Sequence, residues 1–342
     1  MRIEAAASAP AGWDEYVARH PEATAYHRSQ AVMIGQNAFG LTTLFITAYE
    51  NSTIVGVLPL VAQSSRLFGR FLVSLPFVTY GGILADDGVI AAALAARAAE
   101  AAKARHYDHV ELRHTRPMPE LALAERLDKV SMILTLPSAS DALARQLGAK
   151  LRSQIRRGER ENLEMIWGGK ALIPDFYQVF APAMHALGTP VYPRRFFEVA
   201  YDALSSVAEL LVVKMKGRAH AVAFLVNHGT TMEVPWAVAS PEAKNHSVNM
   251  RMYWELLTHS IEAGAKAFDF GRSTQDSGTY RFKAQWGATP HQLHWHYWLP
   301  TGAPVPKLNA SNPKYARAAA AWRRMPLWCA NLIGPHLIKN LP

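Results

Sequence analysis

Apolar residues along the chain form short runs whose spacing predicts strands and helices, and the succession of these runs occurs twice. In the first half, two β-branched runs flank a polar turn and precede a third strand-like run, an alanine-rich stretch and two further strand-like runs. These segments are residues 43–50, 54–62, 71–78, 89–105, 109–114 and 130–136. The first two runs predict a β-hairpin, and the alanine-rich stretch predicts a helix.

The second half has the same pattern. Strand-like runs, a tight turn and a helical stretch come in the same order, at residues 210–215, 216–218, 221–227, 232–239, 247–264 and 267–272. Within the helical stretch, apolar residues at helical spacing form one stripe: Met252, Tyr253, Leu256, Leu257 and Ile261. Ser247 is the predicted N-cap of this helix and Gly264 its predicted end.

Three antiparallel strands followed by a helix and a further strand is an order similar to that of the GNAT acyltransferase fold. We therefore expect an α+β protein with two tandem GNAT-like (acyl-CoA N-acyltransferase-like) domains, whose mixed, mostly antiparallel sheets are flanked by helices. The expected domains are residues 1–137 and 138–300, and a linker with a helical tail follows at 301–342. Fold alone does not define a function.

The amino-acid composition indicates which kind of partner the chain binds and in which cell compartment it works. The chain has 342 residues, a formal net charge of +9 and a pI of about 9.6, so an anionic partner is favoured. The single cysteine, Cys329, excludes an internal disulfide and suits the cytoplasm. The N-terminus lacks the pattern of a signal peptide, and no apolar run is long enough to span a membrane. We expect a cytoplasmic protein that can work at the inner face of the membrane.

The segment FDFGRSTQDSGTYRFKAQWG, residues 268–287, carries a family resemblance. It resembles the Fem family of aminoacyltransferases, and most closely the Fem-related proteins of the exosortase and PEP-CTERM exopolysaccharide system. The stretches 151–162, 188–198 and 252–257 match as well. This resemblance implies two GNAT-like domains and transfer of an acyl or aminoacyl group. The long helical hairpin with which some Fem enzymes are thought to contact tRNA has no counterpart here.

Acyl transfer to an amine needs a neutral nucleophile, stabilisation of the carbonyl oxyanion and a hold on the leaving group. Lys283 is the first candidate, because its ammonium group lies between Phe282 and Trp286 and matches a lysine of the Fem enzymes. Asp269 and Glu233 are candidate bases. Candidate substrate contacts are Arg272, Ser273, Tyr280, Trp236, Tyr192 and Arg194.

Each of these candidates also has a structural interpretation. Lys283 can be a surface lysine that follows a core phenylalanine, and Arg272 can pair with Asp269 or Asp276. Glu233 and Trp236 can be an edge carboxylate and a core aromatic residue.

The choice of acyl donor depends on two stretches where GNAT enzymes bind the pyrophosphate of CoA. Residues 239–250 contain no glycine, and residues 79–88 contain two aspartates that would repel phosphate. Aminoacyl-tRNA is therefore favoured as a co-substrate over acyl-CoA, and no bound cofactor is expected. His291, His294 and His296 lack the companions of a metal site, so no metal is expected.

A basic stripe gives weak support to a phosphate-bearing donor. Arg152, Arg156 and Arg160 recur every fourth residue, while Leu147, Leu151 and Ile155 form an apolar stripe. The arginines can bind phosphates of tRNA or of a lipid-linked sugar, or they can form an ordinary solvated face.

The C-terminal tail has large apolar residues beside Arg323 and Arg324 and so suits a membrane surface. Packing onto the protein itself is favoured, because Pro326 and Pro335 are expected to break the tail into short helices.

Three functions remain open. The first is a Fem-like transferase acting on an amino sugar or peptide of a cell-envelope or exopolysaccharide precursor, which can be lipid-linked. The second is an acyl-CoA-dependent N-acyltransferase. The third is a non-catalytic GNAT-derived protein that binds a glycan or another anionic ligand.

Overall fold

The computed structural model describes residues 1–65, 69–306 and 313–341. Its strands are β1 Arg2–Ala6, β2 Thr43–Glu50, β3 Thr53–Ser65, β4 Gly69–Val73, β5 Leu84–Ala85, β6 His109–His114, β7 Ala124–Arg126, β8 Lys129–Thr135, β9 Glu164–Gly168, β10 Ala208–Met215, β11 Arg218–Asn227, β12 Thr231–Ala239, β13 Ala267–Thr274, β14 Thr289–Gln292 and β15 His294–Trp298. Its α-helices are α1 Trp13–Arg19, α2 Ser29–Val32, α3 Ile34–Phe39, α4 Gly88–Ala104, α5 Ser140–Gln146, α6 Ala149–Glu159, α7 Ile173–Ala186, α8 Arg194–Leu204, α9 Val248–Glu262, α10 Gly278–Ala284, α11 Pro313–Arg324 and α12 Leu327–Ile338.

The first compact unit comprises Met1–Lys129, Gln292–Asn309 and Lys339–Pro342. Its sheet has the order β1-β2-β3-β4-β6-β15-β7, with β5 paired to β3. Strands β4 and β6 run parallel, and the other register pairs in this sheet are antiparallel. The alanine-rich helix α4 packs its buried face, which includes Ile90 and Leu94, against the sheet. Helix α4 approaches strand β3 closely at Gly56, because a Cβ at this position would lie 2.7 Å from the side chain of Ile90.

The second unit comprises Val130–His291 and Ala310–Ile338. Its sheet has the order β14-β8-β13-β12-β11-β10-β9, and β12 and β13 run parallel. Leucine, valine and methionine side chains of the sheet pack with α5, α6 and α9 in one core cluster. A separate group of aromatic rings, from α7, α8, β11 and β12, packs together through Phe176, Phe197, Phe224 and Trp236.

These features confirm the predicted α+β class and the mixed, mostly antiparallel sheets flanked by helices. The strands and helices predicted from both halves are present with small changes at their ends. One prediction fails at β4, which ends at Val73 although the strand was expected to reach residue 78. Leu75 and Phe77 have φ angles of 55° and 78°, which extended backbone does not allow.

The assignment of two strands to their sheets is also corrected. Residues 130–136 were expected to close the first half, but β8 is a strand of the second sheet. Conversely, β15 lies between β6 and β7 in the first sheet although it was expected in the second domain. The compact units therefore differ from the predicted ranges 1–137 and 138–300.

The termini of α9 are partly as predicted. Gly264 follows the helix with a φ of 81°, and its N–H donates to the carbonyl of Ile261. Ser247 precedes the helix, but its φ is 54° and its side chain makes no capping hydrogen bond. The predicted N-cap is thus at the right position without the capping contact.

Candidate active site

Polar side chains cross three neighbouring strands of the second sheet. Glu233 on β12 and Asp269 on β13 are register partners on parallel strands, so their side chains point to the same face. On the next strand, β8, the hydroxyl of Ser131 donates to Asp269 Oδ1 over 2.7 Å. All three residues are buried, with Asp269 only 2% exposed. A buried carboxylate pair of this kind is costly without compensating partners.

Partners for both carboxylates come from nearby backbone and side chains. The backbone N–H of Gly271 donates to Asp269 Oδ1 over 2.7 Å, in addition to Ser131. His228, in the turn after β11, lies with Nε2 2.7 Å from Glu233 Oε2. Neither His228 nor Ser131 was assigned a functional role from the sequence. We name Ser131, His228, Glu233 and Asp269 the polar row.

Lys283 reaches the end of β13 from helix α10. This short helix is capped by Ser277, whose side chain accepts from the N–H of Tyr280. Phe282 packs edge-on against Tyr253, and Trp286 just after the helix is 1% exposed, so the helix is anchored in the core. From this position Lys283 Nζ donates to the carbonyls of Gly271 and Arg272 over 2.8 and 3.0 Å.

Burial governs the electrostatics of Lys283. The side chain is 8% exposed, and desolvation lowers its pKa to about 8. The negative charges of Asp269 and Glu233 oppose this lowering of the pKa, while the positive charge of Arg272 adds to it. At neutral pH the group is therefore still largely an ammonium ion. The expectation that Lys283 is desolvated beside aromatic residues is confirmed, and its catalytic role stays a prediction.

The remaining candidates on β13 and α10 lie close to Lys283 in sequence but differ in exposure. Arg272 is exposed, and Ser273 is 4% exposed. Tyr280 is partly buried against the core cluster.

Trp236 is part of the aromatic core. It is 7% exposed, and its ring packs edge-on against Phe196, Phe197 and Phe224 at centroid distances of 5.2–5.5 Å. These contacts favour the structural interpretation over a wall for a sugar or acyl chain.

Tyr192 and Arg194 have contacts within the same helical layer. The Tyr192 ring stacks on Phe196 at 4.4 Å, and its carbonyl accepts from the Tyr177 hydroxyl. Arg194 is exposed and pairs with Glu198 one turn along α8, at 3.0 Å. The described contacts do not bring either residue to the polar row.

The basic stripe of α6 is less regular than expected. Arg156 is exposed, whereas the guanidinium of Arg152 donates to the carbonyl of Leu147. Arg160 is the C-cap residue of the helix, with backbone angles still in the right-handed helical region, and it is exposed. The apolar stripe that includes Leu151 and Ile155 is buried as predicted.

Carboxylates lie around the N-terminal end of α9, the position corresponding to the CoA pyrophosphate loop. Glu161 pairs with His246 at 2.9 Å, and Glu242 lies 3.8 Å from His220. Negative charge here disfavours phosphate, in agreement with the lack of glycine in this stretch.

A corresponding position in the first unit holds a different ionic network. Glu111 on β6 accepts from Arg113 Nε over 2.7 Å and from the Tyr297 hydroxyl over 2.5 Å. Burial works against ionisation of Glu111, but Arg113 and Tyr297 outweigh it and keep the pKa below its usual value. Arg113 also donates to the carbonyl of Val78. This buried cation is thus paired with a full negative charge, unlike Lys283.

The first unit also has a small open pocket of about 30 Å³ beside this network. Its lining includes Glu22, His114 and Arg116. These groups pair within the unit, since Arg116 lies 2.5 Å from Glu22 and His114 lies 2.9 Å from His296. The internal pairing makes Lys283 the stronger candidate for a group that acts on a substrate.

Comparison with known proteins gives a family match within the second unit. Residues 148–284 match the family model described as Acetyltransferase (GNAT) domain. This range includes Glu233, Asp269 and Lys283. A comparison with curated proteins finds no match.

Solved structures show the same fold over most of the chain. FemX aligns with a TM-score of 0.66 at 15% identity, covering 85% of this chain and 96% of FemX. L-PGS from Bacillus licheniformis aligns with a TM-score of 0.58 at 12% identity, covering 93% and 98%. A tandem GNAT protein from the clavulanic acid biosynthesis pathway aligns with a TM-score of 0.53 at 13% identity, covering 89% and 100%. Residues 148–284 thus match an acetyltransferase (GNAT) domain, and the solved structures show a similar fold over most of the chain.

Proposed function

We propose that this chain is a Fem-like transferase that moves an acyl or aminoacyl group onto an amine of a cell-envelope or exopolysaccharide precursor. One observation carries the proposal: a buried ammonium group, Lys283, is fixed at a strand end of the GNAT domain beside two buried carboxylates. Its proposed task is to stabilise the oxyanion.

Lys283 can stabilise an oxyanion because an ammonium group has three N–H donors. Two of the three N–H groups of Lys283 bind the carbonyls of Gly271 and Arg272 in the described structure, which leaves one for a substrate oxygen. Attack of an amine on the donor carbonyl places negative charge on that oxygen. A fixed cation in a poorly solvated site stabilises this charge more than water does.

The attacking amine must also lose a proton. Glu233 with His228 forms a carboxylate–imidazole pair, and both side-chain types serve as general bases in enzymes. We assign proton uptake to this pair. Asp269, whose Oδ1 already accepts two hydrogen bonds, is assigned the task of holding β13 and favouring the charged form of Lys283.

The donor is proposed to be aminoacyl-tRNA. Support comes from the resemblance to Fem aminoacyltransferases, the structural similarity to FemX and the carboxylates near the start of α9. Acyl-CoA is the alternative, supported by the GNAT domain match. Arg152, Arg156 and Arg160 remain proposed phosphate contacts for the donor.

The acceptor is proposed to be an amino sugar or a peptide in a precursor that can be lipid-linked. The net charge of +9 favours an anionic acceptor of this kind. The exosortase and PEP-CTERM assignment rests on the resemblance of residues 268–287 alone.

A transfer assay with the full chain tests this proposal. Purified protein is incubated with radiolabelled aminoacyl-tRNA pools or acyl-CoA mixtures, each with amino-sugar and peptide acceptors. We expect transfer from aminoacyl-tRNA. Lys283→Ala should lower kcat/KM by about 10²–10³, as loss of an oxyanion donor does. The matched control is Lys266→Ala, which removes an exposed lysine just before β13 and should leave transfer unchanged.

The outcomes separate the alternatives. Transfer only from acyl-CoA would overturn the donor assignment and support the second function. Retained glycan binding without transfer from any donor would favour a binding protein. Full activity of a folded Lys283→Ala variant would remove the oxyanion assignment.

A further inference from the structure

Helix α12 has apolar side chains on both of its faces. One face is buried and includes Ala330, Gly334 and Ile338. The other face is exposed and carries Trp328 at 70%, Leu332 at 66%, Ile333 at 40% and Leu337 at 40% exposure. The exposed side of the helix also carries His336, and a helix with large apolar residues on both faces normally has both of them covered. We name the four exposed apolar residues the apolar face of α12.

The buried face fixes the helix in place. A Cβ at Gly334 would lie 3.1 Å from the carbonyl oxygen of Val191, so the two backbones are in close contact. Trp322 of α11 packs nearby and is 8% exposed. The prediction that prolines divide the tail into short helices holds at Pro326, which lies between α11 and α12, but is corrected at Pro335, which lies inside the continuous helix α12. The apolar face is therefore presented by a helix whose other side is packed.

The net positive charge of the chain is concentrated in the C-terminal segment that contains α12. Asp276 is the last acidic residue, and residues 277–342 contain eight Lys and Arg residues. The preceding residues contain 28 Lys and Arg against 27 Asp and Glu. Nearly all of the net charge therefore belongs to the final segment. Two of its basic residues, Arg323 and Arg324, are exposed at the end of α11, immediately before α12.

We infer that the apolar face of α12 docks onto an anionic lipid surface, with Arg323 and Arg324 facing the lipid phosphates. Tryptophan and leucine on one face with arginine beside them are the features by which helices lie in the membrane interface. None of the helices among the described residues is long and apolar enough to cross a membrane, so the contact is peripheral.

A second copy of this chain is the competing occupant. Pairing two copies through α12 would bring Arg323 and Arg324 of each near the basic segment of the other, without any acidic residue after Asp276 to balance them. Like charges that lie within a Debye length of each other repel, most strongly at low salt. An anionic surface supplies the missing negative charge, and for this reason we favour lipid.

Vesicle sedimentation with the full chain tests the inference. Vesicles of phosphatidylcholine alone are compared with vesicles of equal parts phosphatidylcholine and phosphatidylglycerol. We expect binding to the anionic vesicles to be at least about tenfold stronger and to weaken as salt is added. Replacing both Arg323 and Arg324 with Gln should lower the binding about tenfold or more and reduce the effect of salt.

Leu332→Glu is the decisive variant, and Leu127→Glu is its matched control. Both residues are exposed leucines, but Leu127 lies in the first unit, away from α12 in sequence. Leu332→Glu should abolish vesicle binding, while Leu127→Glu should bind like the unmodified chain. Equal melting temperatures would show that both variants fold.

Three results would overturn the inference. The first is the absence of binding to either kind of vesicle, and the second is unchanged binding of Leu332→Glu. The third is a dimer in sedimentation experiments that Leu332→Glu dissociates, which would make α12 an interface between copies. None of these measurements depends on acyl transfer, so this inference and the proposed function can fail separately.

Discussion

Lys283 binds two backbone carbonyls, and this choice of partners sets its acidity. Carbonyl dipoles replace part of the lost hydration but carry no full negative charge, so burial prevails and the pKa falls to about 8. Arg113 in the first unit shows the alternative, because its guanidinium is bound by the carboxylate of Glu111. Of these two buried cations, Lys283 is the one that can still respond to a substrate charge.

The pH dependence of transfer should report the titration of Lys283. If the ammonium form stabilises the oxyanion, kcat/KM falls as the pH rises through about 8, because the charge is lost there. Rates measured across neutral and alkaline pH check this. Lys283→Arg should lose the alkaline decrease, since a guanidinium keeps its charge. An increase in rate through this range would instead indicate that neutral Lys283 acts as a base.

Two aspartates of the same segment, the buried Asp269 and the exposed Asp276, provide a control for this pH profile. Asp269 raises the pKa of Lys283, so Asp269→Asn should move the alkaline decrease to lower pH. Asp276→Asn changes an exposed carboxylate in the same segment and should leave the profile in place. A shift of the pH profile in both variants would show that the profile responds to the overall negative charge of the segment and not specifically to Asp269.

At the scale of elements, the contact between α6 and α9 depends on one glycine. A Cβ at Gly158 would lie 2.8 Å from Arg251 Cβ and 3.1 Å from the carbonyl oxygen of Ser247, so the helices approach closely there. The apolar stripe of α6 was visible in its spacing. This close approach was not, because it depends on a partner helix about ninety residues later in the chain.

Gly158→Ala should therefore destabilise the second unit. Overpacking costs about 1–3 kcal/mol and outweighs the gain in helix propensity, which is at most about 1 kcal/mol. Thermal unfolding measures the effect. Gly148→Ala is the control, because Gly148 has open space around its Cβ position and an ordinary φ of −63°. We expect a change within about 0.5 kcal/mol there, and equal losses at both positions would contradict the packing argument.

At the scale of the whole molecule, the buried cations of the two units have different partners: a carboxylate for Arg113 and backbone carbonyls for Lys283. Removing Arg113 leaves Glu111 buried without its ion-pair partner, which typically costs about 3–5 kcal/mol. Arg113→Met should thus lower the melting temperature of the protein. Without Arg113 the pKa of Glu111 rises, so the loss should shrink at acidic pH, where a neutral Glu111 is tolerated.

Lys283→Met is the comparison variant for this prediction. It removes a cation whose burial is not offset by a contacting carboxylate among the described ion pairs, so stability should change less than in Arg113→Met. Unfolding curves of both variants at neutral and acidic pH provide the measurement. A larger loss in Lys283→Met would show that Lys283 is mainly structural.

Much of the fold was predictable, because side-chain periodicity reports which residues of a strand or helix are buried. Lys283 was found because it lies between aromatic residues in the sequence and matches a lysine of the Fem enzymes that the segment resembles. Ser131 and His228 were missed as partners of the carboxylates, since the Ser131–Asp269 contact joins residues 138 positions apart. Periodicity also does not identify the sheet that a strand joins, and for this reason β8 and β15 were assigned to the wrong halves.

The position of β15 has a consequence for how the protein is made. The first sheet needs residues 294–298 between β6 and β7, so it stays incomplete until most of the polypeptide has left the ribosome. Until then β6 and β7 expose unpaired edges in a nascent chain, a state prone to aggregation. Dividing the gene between the predicted halves, after residue 137, would give two fragments. The first would lack β15 of its sheet, and the second would lack β8.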